Sequence, residues 1–272
     1  MKNVQMVMFG LVLAVLSLNS LAAQSLKGMS FNGSTGLYSI PTGRVGWERS
    51  ANFGLDFGYD FIAREQHTAH IPKASITLLR FWEINAAVDM HRPVPENEKD
   101  SNTNIIFGTK LQIPTTNRIA IALGANYQIL KAGAEDPFVH DNASQVYLAT
   151  TYAGRLFEWP AETTIVMGYT WLDGNANSDI DFGVGFDLLL LPQVFNNLFH
   201  WILDFSNFTY VARPPYQLGV NRGILNTGLR IDFGSIFGAG RFKFAFDLLM
   251  TDAFDDNRGF SIGAVFGSGI IR

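Results

Sequence analysis

Few side chains in this sequence have the types and spacing that chemistry requires. There are five histidines and no cysteine. Thiol catalysis, Cys-ligated zinc, iron–sulfur clusters and disulfides are therefore excluded. A hydrolase needs a serine hydroxyl next to a histidine that takes its proton. His91 with Ser75 or Ser101 is the pairing left open for a lipid hydrolase. His67 and His70 read as first-outer-loop residues, His91 and His140 as borders of the second and third, and His200 as lying near the opposite, inner end. Asp173, Asn175, Asn177 and Asp179 alternate like the start of a calcium loop. That loop requires Gly at its sixth position and Glu at its twelfth, where Ser178 and Val184 stand. This stretch and the acidic group Asp252, Asp255 and Asp256 read as polar hairpin loops. No metal or cofactor is expected.

A different set of charges is more informative. Asp56, Asp60, Asp89, Lys110, Asp181, Asp187, Asp204, Arg230, Asp232, Lys243 and Asp247 each stand singly within an apolar stretch. The elements that position them show in the alternation around them. From Ala51 to Phe61 every odd position is apolar and every even one is Gly, Asn or Asp. Period two puts aromatic residues on one face of a strand and small or acidic residues on the other. The pattern recurs in twelve segments, at 50–61, 73–81, 84–91, 103–113, 118–130, 144–153, 162–172, 179–189, 200–211, 222–233, 241–251 and 258–270. Most match the roughly 9–11 residues that a tilted strand needs to cross a bilayer.

The connections alternate too. Polar links at Ala63–Pro72, Arg92–Asn102, Lys131–Ala143, Asp173–Ser178, Ala212–Asn221 and Asp252–Asn257 fall at one end. Tight links at Trp82-Glu83, Pro114–Asn117 and Gly234–Gly240 fall at the other, with two longer aromatic ones, Leu156–Ala161 and Leu190–Phe199. Long outer loops and short inner turns belong to an up-and-down outer-membrane barrel. An even strand number returns both ends of the barrel to the periplasmic side.

Composition supports a lipid-facing apolar side. Charged residues are 16% of the chain, hydrophobic ones 47%, and there are 23 Phe and 26 Gly. The polar strand face carries almost no Lys or Glu, the residues that guard water-facing strands. Phe53, Phe57, Phe182, Phe186, Phe244 and Phe246 are thus expected to meet outer-membrane lipid, and the eleven single charges to line the lumen. A soluble periplasmic β-rich binding protein would reverse these faces. Along the lumen, Lys110, Arg230 and Lys243, flanked by Arg118 and Arg241, should make the inner mouth basic. Asp60, Asp89 and Asp181 should make the outer half acidic. Net charge is −4 without a basic block, so no nucleic-acid partner is expected.

The amino-terminal segment divides in two. Met1-Lys2, the apolar run Val4–Leu18 and Ser20-Leu21-Ala22-Ala23 form a secretory signal over residues 1–23. Residues 24–49 are Gly-rich and non-periodic, and read as a lead-in to strand one or a partial plug. The barrel then occupies 50–272. Within the segment, Gly33, Gly36, Leu37, Pro41, Thr42, Gly43 and Arg44 compose a Gly-Leu-x-x-(apolar)-Pro-(Ser/Thr)-(small)-Arg element. This element resembles the opening of YjbH-like outer-membrane proteins. The resemblance covers some 15 residues and implies a part in exopolysaccharide production. The expectation is an all-β, transmembrane, antiparallel barrel of about twelve strands, structural or passively transporting, whose partners are outer-membrane lipid and surface polysaccharide or small solutes.

Overall fold

The computed structural model describes residues 28–48, 50–65, 67–93, 102–132, 142–172, 179–207, 223–235, 242–254 and 258–271. The signal at 1–23, His140 and the loop 173–178 lie outside the described residues, as do Ser101, Asp255 and Asp256.

Twelve strands follow one another: β1 (Phe53–Ala63), β2 (His67–Leu78), β3 (Trp82–Pro93), β4 (Asn102–Ile113), β5 (Ile119–Ala132), β6 (Asn142–Leu156), β7 (Trp159–Leu172), β8 (Asp179–Leu189), β9 (Phe199–Ser206), β10 (Ile224–Asp232), β11 (Phe242–Thr251) and β12 (Gly259–Ile271). Each pairs antiparallel with its sequence neighbours, and β1 closes on β12. Closure leaves no edge with unpaired backbone groups, which a bilayer would not tolerate. A single helical turn, α1 (Pro192–Phe195), sits in the β8–β9 link.

The two strand faces separate as period two demands. Phe57, Phe182 and Phe244 are exposed outward, and Phe53, Phe186 and Phe246 are partly exposed on the same face. Ile84, Leu111, Leu123, Ile165 and Ile262 extend this apolar exterior around the barrel. A soluble arrangement would have buried these side chains; instead the buried side holds the polar residues.

Three boundaries differ from the sequence expectation. The first outer link shrinks to 64–66, and His67, His70 and Pro72 lie on β2. Their inward–outward alternation continues that of β1, pairing Phe61 with His70 and Ala63 with Thr68. Pro72 lacks a backbone donor, and β2–β3 pairing lapses there, resuming at Lys73 opposite Ala87. The β2–β3 turn is Leu79-Arg80-Phe81, so Trp82 and Glu83 belong to β3. Likewise Phe157-Glu158 alone turns β6 into β7, with Leu156 opposite Trp159.

Candidate functional site

The lumen is filled by the chain's own amino-terminal segment. Residues 28–47 are all buried, yet they contain only two isolated bridges, Met29 with Thr35 and Gly36 with Pro41. Backbone without regular structure can be buried only if other groups satisfy it. Polar side chains from the barrel wall do so. Glu83 on β3 accepts from the Thr35 amide at 2.7 Å, the Thr35 hydroxyl at 2.6 Å and the Gly46 amide at 3.1 Å. Asp204 on β9 accepts from the Tyr38 and Ser39 amides at 2.7 and 2.8 Å and from the Ser39 hydroxyl at 2.7 Å. Lys110 on β4 donates to the Thr35 carbonyl at 2.8 Å, and Lys73 on β2 to that of Met29 at 3.1 Å. Asn32 donates to Asn126 on β5 at 3.0 Å and accepts from Asn85 on β3 at 2.7 Å.

The Gly-Leu…Pro-Thr-Gly-Arg element lies in the middle of this plug. Arg44 bonds Glu48 at 2.7 Å and Glu162 on β7 at 3.1 Å, and reaches the Asn117 carbonyl at 3.3 Å. The Gly43 amide donates to Thr151 on β6 at 2.9 Å. A β-carbon at Gly43 would lie 2.2 Å from the Ala120 carbonyl oxygen, so only glycine allows this approach. Gly33 turns the chain at φ +87°, a conformation glycine adopts at little cost. Thr42 closes onto the Thr35 carbonyl through its amide, at 3.1 Å, and its hydroxyl. Leu37 and Ile40 pack into the room left by Gly185 and Gly183 on β8. At the inner end, the Trp47 indole donates to Asp56 on β1 at 3.0 Å, with Lys243 lying 4.4 Å from its ring centre.

All eleven single charges named from the sequence are buried on the inward face. The structure pairs some of them directly. Arg230 makes a two-pronged contact to Asp247 at 2.8 Å and lies 3.9 Å from Asp187. Lys243 meets Asp56 at 3.1 Å. The others find partners that sequence reasoning missed. Lys110 pairs with Glu83 at 3.2 Å, Asp60 with Lys73 at 2.5 Å and Asp187 with His200 at 2.6 Å. Asp89 contacts His91 at 3.0 Å. Asp181 accepts from Gln145 at 2.8 Å and from the Thr170 hydroxyl. Asp232 accepts from the Gly234 amide at 2.9 Å.

These pairings correct the expected charge separation. Arg230 faces Asp247 across β10–β11, whereas Lys243 turns to β1. Among the described residues, buried Glu83, Glu162, Asp56 and Asp187 accompany Lys110, Arg230 and Lys243, so these three cations do not make the inner half basic; Arg241 lies outside the described residues. Uncompensated charges in a low-dielectric wall would be too costly. Asp252, expected in an acidic loop, is buried at the end of β11.

Among the described residues no hydrolytic pair assembles at His91; Ser101 lies outside them. His91 lies opposite Ala69, and Ser75 is six residues further along β2, roughly 20 Å away at strand spacing. Among the described residues no cluster of three metal-ligating side chains occurs. Where the plug's Phe31 and Tyr38 meet His67, His91 and Thr251, a cavity of about 30 Å³ remains. It has room for a water, not for a solute.

Fold and site together define a transmembrane β-barrel closed from within. Solved outer-membrane barrels are similar to it in fold. The NanC porin matches with a TM-score of 0.50 at 9% identity, over 79% of this chain and all of that one. The KdgM porin gives 0.49 at 7% identity, over 78% and 98% of the two chains. LpxR from Salmonella typhimurium gives 0.43 at 10% identity, over 79% and 100%. At such identities what is shared is the barrel. No protein-family model and no curated protein matches the sequence.

Proposed function

We propose that the protein is an outer-membrane channel of the porin type, delivered by its amino-terminal signal and held shut by residues 28–47. The observation that carries this reading is the uninterrupted burial of those residues inside a closed barrel, held from β1 through β7 and from β9. A barrel built only as a structural element could fill its lumen with wall side chains, as eight-stranded barrels do. Twelve strands leave a bore that needs a separate insert, and an insert bound by hydrogen bonds to polar walls leaves a hydrophilic conduit when it moves. The apolar exterior contacts outer-membrane lipid. Passage is passive and the solute is polar and small; the resemblance at residues 33–45 favours a saccharide connected with exopolysaccharide production.

Planar-bilayer recordings of the refolded chain, with and without residues 24–49, test the reading. The full chain should conduct little and open rarely, and the shortened one should give large, sustained steps. A shortened barrel that assembles yet does not conduct would exclude the channel.

A further inference from the structure

The inner rim of the barrel carries an unusual set of turns. Leu79 and Arg80, between β2 and β3, both have left-handed backbone, at φ 53° and 68°. Phe157 and Glu158, between β6 and β7, repeat this at 50° and 70°. Hairpin turns this tight, two residues at Phe157-Glu158 and three at Leu79–Phe81, favour Asn or Gly where φ is positive, whereas bulky residues are strained there. Such strain persists only where surrounding contacts over-determine it. The Leu79 amide donates to the Asn52 carbonyl at 2.6 Å, yet the Leu79 side chain is 64% exposed and that of Phe157 72% exposed, so neither side chain gains packing from the barrel. The β8–β9 link shows the same habit. Leu191 takes φ 42°, and Val194 on α1 is 71% exposed.

These links sit at one end of the barrel. Leu79 is followed on the outward face by the exposed Phe81, Trp82 and Ile84, and Phe157 by the half-buried Trp159 and, beyond Thr163, the exposed Ile165; Arg80 and Glu158 are exposed at the turns themselves. At the opposite end the described β1–β2 link is Arg64-Glu65, and the sequence of the β3–β4 and β7–β8 links is polar; Phe254 is an aromatic exception.

We infer that the inner-rim turns Leu79–Phe81 and Phe157-Glu158, with Val194, are seated in the inner leaflet of the membrane, so that lipid supplies the contact that holds their backbone. The hydrocarbon-facing band then starts at these turns, whereas the exposed polar link Pro114–Asn117 on the same rim stays among the lipid headgroups. Arg80 and Glu158 reach those headgroups from the same turns, as charged side chains do at an interface. The occupant is lipid because the turns continue a face that already meets it. This inference uses the transmembrane placement and is independent of whether the plug opens.

The absence of cysteine gives a clean background for site-specific labels. Leu79→Cys, Phe157→Cys and, at the opposite end, Glu65→Cys would each carry an environment-sensitive fluorophore in phosphatidylethanolamine–phosphatidylglycerol vesicles. At 79 and 157, emission should be blue-shifted, quenched by brominated acyl chains and at least about threefold less sensitive to iodide than at 65. Iodide quenching at 79 and 157 equal to that at 65 would overturn the inference and point to a periplasmic protein as the occupant. A second variant, Phe157→Asn with Glu158→Gly, relaxes the turn. It should fold in detergent at least as well as the parent but less completely into vesicles. Unchanged vesicle folding would also overturn the inference.

Discussion

Glu83 shows most clearly what a single side chain contributes to this molecule. Its carboxylate takes two donors from Thr35, one from Gly46 and the Lys110 ammonium, all away from water. Removing one member of such a buried set costs far more than the set's net worth, because the remaining groups keep their desolvation penalty. Glu83→Ala should therefore destabilise the closed state by about 3–5 kcal/mol. The barrel wall would retain its backbone ladder. The expected outcome is a barrel that still shows heat-modifiable migration but has frequent long openings in bilayer recordings. Silent recordings from the assembled variant would show that other latches, such as Asp204, suffice. The sequence concealed Glu83 because Trp82-Glu83 stands between apolar runs and looks like a tight turn. Its place in the inward row Glu83, Asn85, Ala87, Asp89 was the signal that could have revealed it.

At the scale of strands, the alternation of β1, β5, β8, β11 and β12 was legible because each has one lipid-facing row and one small, polar row. The amino-terminal segment was not legible in this way. Ser30, Ser34, Thr35 and Ser39 carry no periodicity, and their burial depends on wall residues scores of positions away. The first outer link was misjudged because the histidines and Pro72 look loop-like until paired with β1. The facing of β11 can be tested with one substitution at two depths. Phe244 points outward from the strand, and Phe254 lies just beyond it at 83% exposure. Phe244→Arg should cost about 2–4 kcal/mol in a bilayer folding equilibrium, falling to about 0–1 kcal/mol for Phe254→Arg near the interface. Equal costs at the two positions would mean that the membrane does not cover β11 as the apolar rows require.

For the whole molecule, closure and charge are linked. Ten carboxylates on the strands are buried on the inward face, from Asp56 to Asp247, against four Lys or Arg: Lys73, Lys110, Arg230 and Lys243. The plug offsets part of this excess, and residues 24–49 bring Lys27, Arg44 and Arg49 against Glu48. The plug's backbone amides and hydroxyls solvate Glu83 and Asp204, and Arg44 bridges Glu162 to the plug's own Glu48. Taking the plug away leaves these three wall carboxylates facing water. An open lumen with so uneven a wall concentrates counter-ions of the opposite sign. The barrel without residues 24–49 should accordingly prefer potassium over chloride in reversal-potential measurements. The preference should shrink as salt rises from about 0.1 M to 1 M, because the screening length falls from roughly 10 Å to 3 Å. In that shortened background, Glu83→Gln, Glu162→Gln and Asp204→Asn together should lower the preference further. An anion-selective pore would mean that Lys73, Lys110, Arg230 and Lys243 outweigh the carboxylates once the plug has gone.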